Sequence, residues 1–153
     1  MLHVTINNQE HEFPAGESIL DALRTLGIEV PTLCHDPRIV PTGACRLCSV
    51  ELRGQDRLVA SCTTPLADGM VIETHSAAAE ADRKTNLTLL AQHYPADEPL
   101  SDHVEFHRYL KTYGVEPSGA PVGGFKDFDH PYLRVDMDKC VHCYRCIRIC
   151  NEL

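Results

Sequence analysis

Eight cysteines carry the chemistry that this 153-residue chain could do, and they fall into two groups. Cys34, Cys45, Cys48 and Cys62 are separated by ten, two and thirteen residues, and Cys140, Cys143, Cys146 and Cys150 by two, two and three. A long loop, a tight Cys-x-x-Cys turn and a hairpin-length return can bring four soft thiolates into one compact cage. The first group is therefore expected to hold a [2Fe-2S] cluster. Zinc is the alternative, because Cys45-x-x-Cys48 is also half of a zinc knuckle, although zinc usually takes two comparable knuckles and Cys34 and Cys62 stand alone. Gly43 and Ala44 are small enough to let backbone N–H groups approach the sulfurs, stabilise an anionic cluster and raise its potential. Arg46 is expected to be solvated rather than a tuning charge, and His35 a satisfied or surface histidine rather than a Rieske-type ligand.

The second group, C-x2-C-x2-C-x3-C, matches the first half of a bacterial two-cluster ferredoxin. Cys140, Cys143 and Cys146 would supply three ligands to one [4Fe-4S] cluster and Cys150 one ligand to another, so further cysteines are required downstream. The chain is accordingly expected to be the amino-terminal part of a longer polypeptide. A zinc tetrathiolate is the alternative here too, though the short spacings suit a cube corner better.

The elements that must position these thiols can be read in order. Leu2 to Ile6 alternates apolar and polar residues, Asn7-Asn8 supplies a turn, and Gln9 to Phe13 can return as a second strand. Ser18 and Asp21 form a capping box for a helix with Ile19, Leu20, Leu23 and Leu26 on one face, closed by Gly27. Pro31, Pro37, Pro41 and Gly43 keep residues 31–44 irregular. Residues 47–52 and 57–60 read as strands around the polar turn 53–56, and residues 70–74 as another. A helix is expected from Ser76 to Tyr94, stopped by Pro95, with a short one over residues 103–113. A proline- and glycine-rich linker covers residues 114–127, and a short strand residues 131–136. The fold class is α+β, with a β-grasp [2Fe-2S] ferredoxin-like domain over residues 1–76. A connecting helix and linker follow over 77–130, and the start of a bacterial-ferredoxin-like [4Fe-4S] domain over 131–153.

With 43% apolar residues the chain can bury a modest core. A net charge of −8 argues against nucleic acid and anionic membrane surfaces and favours a protein redox partner. No apolar run approaches the roughly 18 residues of a membrane span, and no export signal opens the sequence; a cytoplasmic location is expected, where disulfides are disfavoured. No nucleophilic triad is evident, so no catalytic residue is assigned.

Leu33-Cys34-His35 and Gly43-Ala44-Cys45-Arg46-Leu47-Cys48, together with Cys62, resemble the amino-terminal [2Fe-2S] region of one family. It is shared by the large iron-sulfur subunit of respiratory NADH:quinone oxidoreductase, iron-only hydrogenases and NAD-linked molybdenum formate dehydrogenases. In that family a His-Pro-x-Asp-Cys-x-x-Cys-x5-Cys segment follows and binds a [4Fe-4S] cluster. Here Tyr94 stands at the histidine position, and Glu98, Ser101 and His107 stand at the three cysteines, so this cluster is expected to be lost while its fold is kept. A hard-metal site on Glu98, Asp102, His103 and His107 is the less favoured reading, against a polar helix face; His93 is read as a remnant or helix-end residue. Arg134-Val135-Asp136 and Tyr144 to Glu152 most resemble the formate dehydrogenase branch. That resemblance implies a molybdopterin-binding region downstream and electron transfer to a flavin/NAD diaphorase-type partner in a hetero-oligomer. A diaphorase or hydrogenase small subunit, or a zinc-stabilised interaction module, are the rival readings.

Overall fold

The structure is a computed structural model that describes residues 1–55, 57–120 and 123–153. Asp56 of the expected turn, and Pro121 and Val122 of the expected linker, lie outside the described residues.

Strands β1 (Leu2–Ile6) and β2 (Gln9–Phe13) form the expected hairpin. Asn7 and Asn8 both take left-handed conformations, φ 50° and 65°, as a primed two-residue turn requires. Val4 and Ile6 face the core, whereas β2 buries only Phe13, leaving a polar edge strand that discourages further pairing. Helix α1 (Ile19–Thr25) starts where Ser18 Oγ accepts the Asp21 N–H at 3.2 Å and Asp21 Oδ2 accepts the Ser18 N–H at 3.3 Å. Its buried residues Ile19, Ala22 and Leu23 pack with Val4, Ile6, Val50 and Ile72. Each fully buried valine, leucine or isoleucine side chain among them stabilises the fold by about 1.5–3 kcal/mol.

Strands β3 (Ser49–Leu52), β4 (Leu58–Ala60) and β5 (Val71–Glu73) complete a five-stranded sheet of order β2-β1-β5-β3-β4. β5 runs parallel to β1 and every other pair is antiparallel, the expected β-grasp arrangement. The strand expected from residue 47 begins only at Ser49. Arg46, at φ 59°, keeps Leu47 and Cys48 in a turn that closes with the Ser49 N–H donating to the Arg46 carbonyl at 3.3 Å.

Helix α2 (Ala77–Ala91) ends short of the expected Tyr94. The His93 and Tyr94 N–H groups donate to the carbonyls three residues back, at 3.2 Å each, so the last turn tightens before the proline is reached. Helix α3 (Glu105–Tyr113) follows and is capped by Gly114 in the left-handed region. The expected strand over 131–136 shrinks to β7 (Val135–Asp136), which pairs with β6 (Lys126–Asp127), a strand the linker composition did not suggest. Lys126 Nζ holds this pair together, 3.3 Å from Asp136 and 3.0 Å from the buried Asp138. A 3-10 turn (Met137–Lys139) and α4 (Arg145–Glu152) close the described chain.

The chain folds as two compact units, Met1–Arg83 with Tyr144–Leu153, and Lys84–Cys143. The division runs inside α2, where the expected boundary preceded the helix, because Arg83 is anchored to the backbone of residues 47, 49 and 74 in the first unit. Among the described residues no helix is long and apolar enough to cross a membrane.

Candidate metal centre

The first cysteine group is assembled by three pieces of the first unit. Cys34 follows α1 in a buried stretch with Leu33 and His35. Cys45 and Cys48 bracket the left-handed turn at Arg46. Cys62 follows β4, and the β3/β4 register, Ser49 opposite Ala60, is extended by the Ser61 N–H donating to the Cys48 carbonyl at 3.2 Å. The thirteen-residue spacing is thus a hairpin that returns Cys62 beside Cys48. Leu20 of α1 and Ala60 pack against both sulfur-bearing residues.

The four thiols meet as two pairs. Cys34 shares a side-chain hydrogen bond with Cys45, and Cys48 shares one with Cys62. These bonds hold Cys34 down at about 5 and Cys48 at about 6, well below an ordinary thiol, while they push Cys45 and Cys62 up, with burial adding to both increases. Cys62 also feels the charges of Cys48, Cys34 and Cys45, so the two pairs lie within electrostatic reach of each other. Among the described residues no three His, Cys, Asp or Glu side chains converge tightly enough to hold a single metal ion. A two-iron core needs a different geometry, two thiolates on each iron, and the two pairs match that division.

Donors around the sulfurs fit the same group. The Cys45 N–H donates to Cys34 Sγ at 3.4 Å, the Ala44 N–H and Thr42 hydroxyl also favour the Cys34 thiolate, and the Cys62 N–H favours that of Cys48. Ser61 Oγ is buried beside Cys48 without a well-formed hydrogen bond, a donor left over for sulfur. Gly43, at φ 65°, lets the loop close here. A Cβ at this position would stand 3.3 Å from Thr63 Oγ1 and 3.5 Å from Ala60 Cβ. Arg46 is exposed, as expected. His35 is buried at 8% exposure, its Nδ1 without a hydrogen-bond partner, and burial lowers its pKa. A cleft of ≈ 370 Å³ reaches Cys62 between Glu17, Asp21, Val40 and Pro65, giving the cage one accessible side.

The second cysteine group is more open. Cys140 and Cys143 are half-buried after the 3-10 turn in the second unit. Cys146 and Cys150 are exposed on α4 in the first, one helical turn apart. All eight cysteines are free thiols.

In the second unit, the residues at the positions where the resemblance expects cluster ligands contact protein groups. The Ser101 N–H donates to His107 Nδ1 at 2.9 Å, which places the imidazole proton on Nε2, and that N–H faces Tyr94 Oη at 2.8 Å. Glu98 pairs with Lys139 at 2.6 Å. Tyr94 and His107 are 5% and 2% exposed, and burial lowers the His107 pKa. His107 therefore departs from the expected polar helix face: it belongs to a buried network with Tyr94 and Phe106, whose ring centroids lie 5.2 Å apart. His103 precedes α3 rather than sharing a face with His107, and His93 is exposed just past α2. The residue that sequence reasoning missed is Arg83, fully buried and hydrogen-bonded to the backbone on both sides of Cys48; a lone arginine on a helix of mixed polarity gave no signal of it.

Residues 1–77 match the family model of the 2Fe-2S iron-sulfur cluster binding domain. Similar relatives include an NADH-quinone oxidoreductase subunit of Rhizobium meliloti (strain 1021), 36% identical across 100% of this chain and 19% of the relative. Another is "NADP-reducing hydrogenase subunit HndD" of Solidesulfovibrio fructosivorans, also 36% identical, across 100% of this chain and 28% of the relative. The chain thus spans between about a fifth and somewhat over a quarter of these relatives. Among solved structures, a chain of an NAD+-reducing [NiFe]-hydrogenase in the H2-reduced state superposes with a TM-score of 0.84 at 28% identity, over 96% of this chain and 64% of that one. The chain belongs to the 2Fe-2S iron-sulfur cluster binding domain family.

Proposed function

We propose that Cys34, Cys45, Cys48 and Cys62 ligate a [2Fe-2S] cluster and that the chain serves as an electron-transfer segment of an NAD(P)-linked oxidoreductase. The observation that carries this reading is the division of four thiols, three of them buried, into two pairs on a domain of the 2Fe-2S family. A bound cluster supplies one-electron transfer with little reorganisation. The chain's own residues hold it, exclude water with Leu20 and Ala60, and aim amide and hydroxyl donors at the sulfurs. The zinc reading would require four sulfurs around one ion.

Anaerobically purified protein is expected to be brown, with two iron and two sulfide per first site and an electron paramagnetic resonance signal of the reduced [2Fe-2S] type. Cys48→Ser abolishes that signal. Colourless protein with stoichiometric zinc, or an unchanged spectrum in the variant, would refute the assignment.

On this reading Cys140, Cys143, Cys146 and Cys150 contribute to [4Fe-4S] clusters completed by cysteines further along a longer polypeptide. Electrons then pass between a catalytic region and a flavin/NAD partner subunit, within a cytoplasmic hetero-oligomer. The likeness of Arg134 to Asp136 and Tyr144 to Glu152 to the formate dehydrogenase branch favours a molybdopterin site in that region. A hydrogenase or diaphorase subunit is the second reading, favoured by the names of the relatives. Molybdenum content and formate-dependent NAD reduction by the whole complex separate the two: both present supports the first, and hydrogen- or NADH-dependent reduction without molybdenum supports the second.

A further inference from the structure

A guanidinium is costly to bury unless its donors are engaged and its charge is used or balanced. The Arg83 side chain is 0% exposed. Its Nε donates to the Leu47 carbonyl at 3.2 Å, and its Nη2 donates to the carbonyls of Ser49 at 2.8 Å and Thr74 at 2.6 Å. Leu47 and Ser49 are the two neighbours of Cys48 in the chain. One planar fork thus grips the backbone on both sides of a thiolate, a task to which lysine, a flexible point charge, is poorly suited.

The charge balance is uneven. Nη1 donates to Glu80 Oε1 at 2.7 Å, but the Glu80 side chain is 37% exposed, so solvent screens its negative charge far more than the positive charge of Arg83. The positive charge of Arg83 thus sits buried against the backbone on either side of Cys48.

We infer that Arg83 is a positioning and potential-setting residue of the [2Fe-2S] centre. It holds Cys48 in place through the flanking carbonyls, and its buried charge favours the reduced state. The inference rests on the cluster assignment above. When a redox partner delivers one electron, a cage with four thiolates gains one unit of negative charge and no bond breaks; a fixed cation in a low-dielectric setting stabilises the more negative state. Arg46, the arginine adjacent to a ligand in sequence, is exposed and cannot act with comparable strength.

The test is a redox titration of anaerobically purified full-length protein, followed by electron paramagnetic resonance, with Arg83→Met, Arg83→Lys and Glu80→Gln. At a poise that half-reduces the wild type, Arg83→Met is expected to lower the ratio of reduced to oxidised cluster about tenfold, about 59 mV for a one-electron couple. Arg83→Lys recovers part of that shift but broadens the signal, because the fork on Leu47 and Ser49 is lost. Glu80→Gln removes the partly exposed counter-charge and moves the ratio the opposite way, about threefold. If Arg83→Met fails to assemble a cluster, Glu80→Gln decides: an unmoved potential in that variant overturns the inference. Potentials equal to wild type in all cluster-bearing variants overturn it likewise and reduce Arg83 to a backbone clamp. Wild-type protein without any [2Fe-2S] signal instead refutes the cluster assignment on which the inference rests.

Discussion

At the scale of single residues, His107 shows how burial fixes a histidine's protonation. Ser101 and Tyr94 hold it as a neutral imidazole, and the Glu98 carboxylate is occupied by Lys139. In the unfolded chain His107 takes up a proton near the ordinary value of 6.5, whereas burial keeps its folded pKa lower. Between these values the unfolded state binds more protons, so stability is fully present above about pH 6.5 and falls as the pH drops through that window. Urea unfolding of the second unit followed by fluorescence, repeated from about pH 8 to about pH 5, is expected to show this decline. His107→Phe flattens it. Tyr94→Phe leaves the Nε2–H without its partner and is expected to cost about 1–3 kcal/mol at neutral pH.

At the scale of elements, two close approaches offer measurements. Gly119 lies against the end of α2, where it accepts the Ala96 N–H at 2.9 Å and donates to the Tyr94 carbonyl at 2.9 Å. A Cβ there would stand 2.7 Å from Tyr94 O, 2.8 Å from His93 C and 2.9 Å from Gln92 O, all backbone atoms that cannot rotate away. Gly119→Ala is expected to destabilise the second unit by about 1–3 kcal/mol, read from its urea midpoint. In the first unit, Ser18→Ala removes the side-chain half of the capping box of α1 and should cost about 1 kcal/mol. The capping box could be read from two residues three apart. The β6–β7 pair could not, because its strands are two residues long and depend on Lys126 meeting Asp136 and Asp138.

For the molecule as a whole, the proposed [2Fe-2S] centre makes the stability of the first unit depend on iron. Removing iron from the first site with a chelator leaves the Cys34–Cys45 and Cys48–Cys62 pairs without the group that joins them. Calorimetry is expected to show the transition of the first unit falling by several degrees, since a bound metal group stabilises only the folded state. An unmoved transition of the first unit would contradict the cluster assignment. The sequence alone determined the two cysteine sets, the Asn7-Asn8 hairpin, the Ser18–Asp21 cap and the β-grasp order, because each is written in residue types a few positions apart. Only the tertiary structure decided that the four thiols divide into pairs, that His107 is buried, and that Arg83 grips the backbone on both sides of Cys48. Those outcomes depend on groups far apart in the chain, 36 residues in the case of Arg83 and Leu47. Such contacts leave no local periodicity or spacing to read.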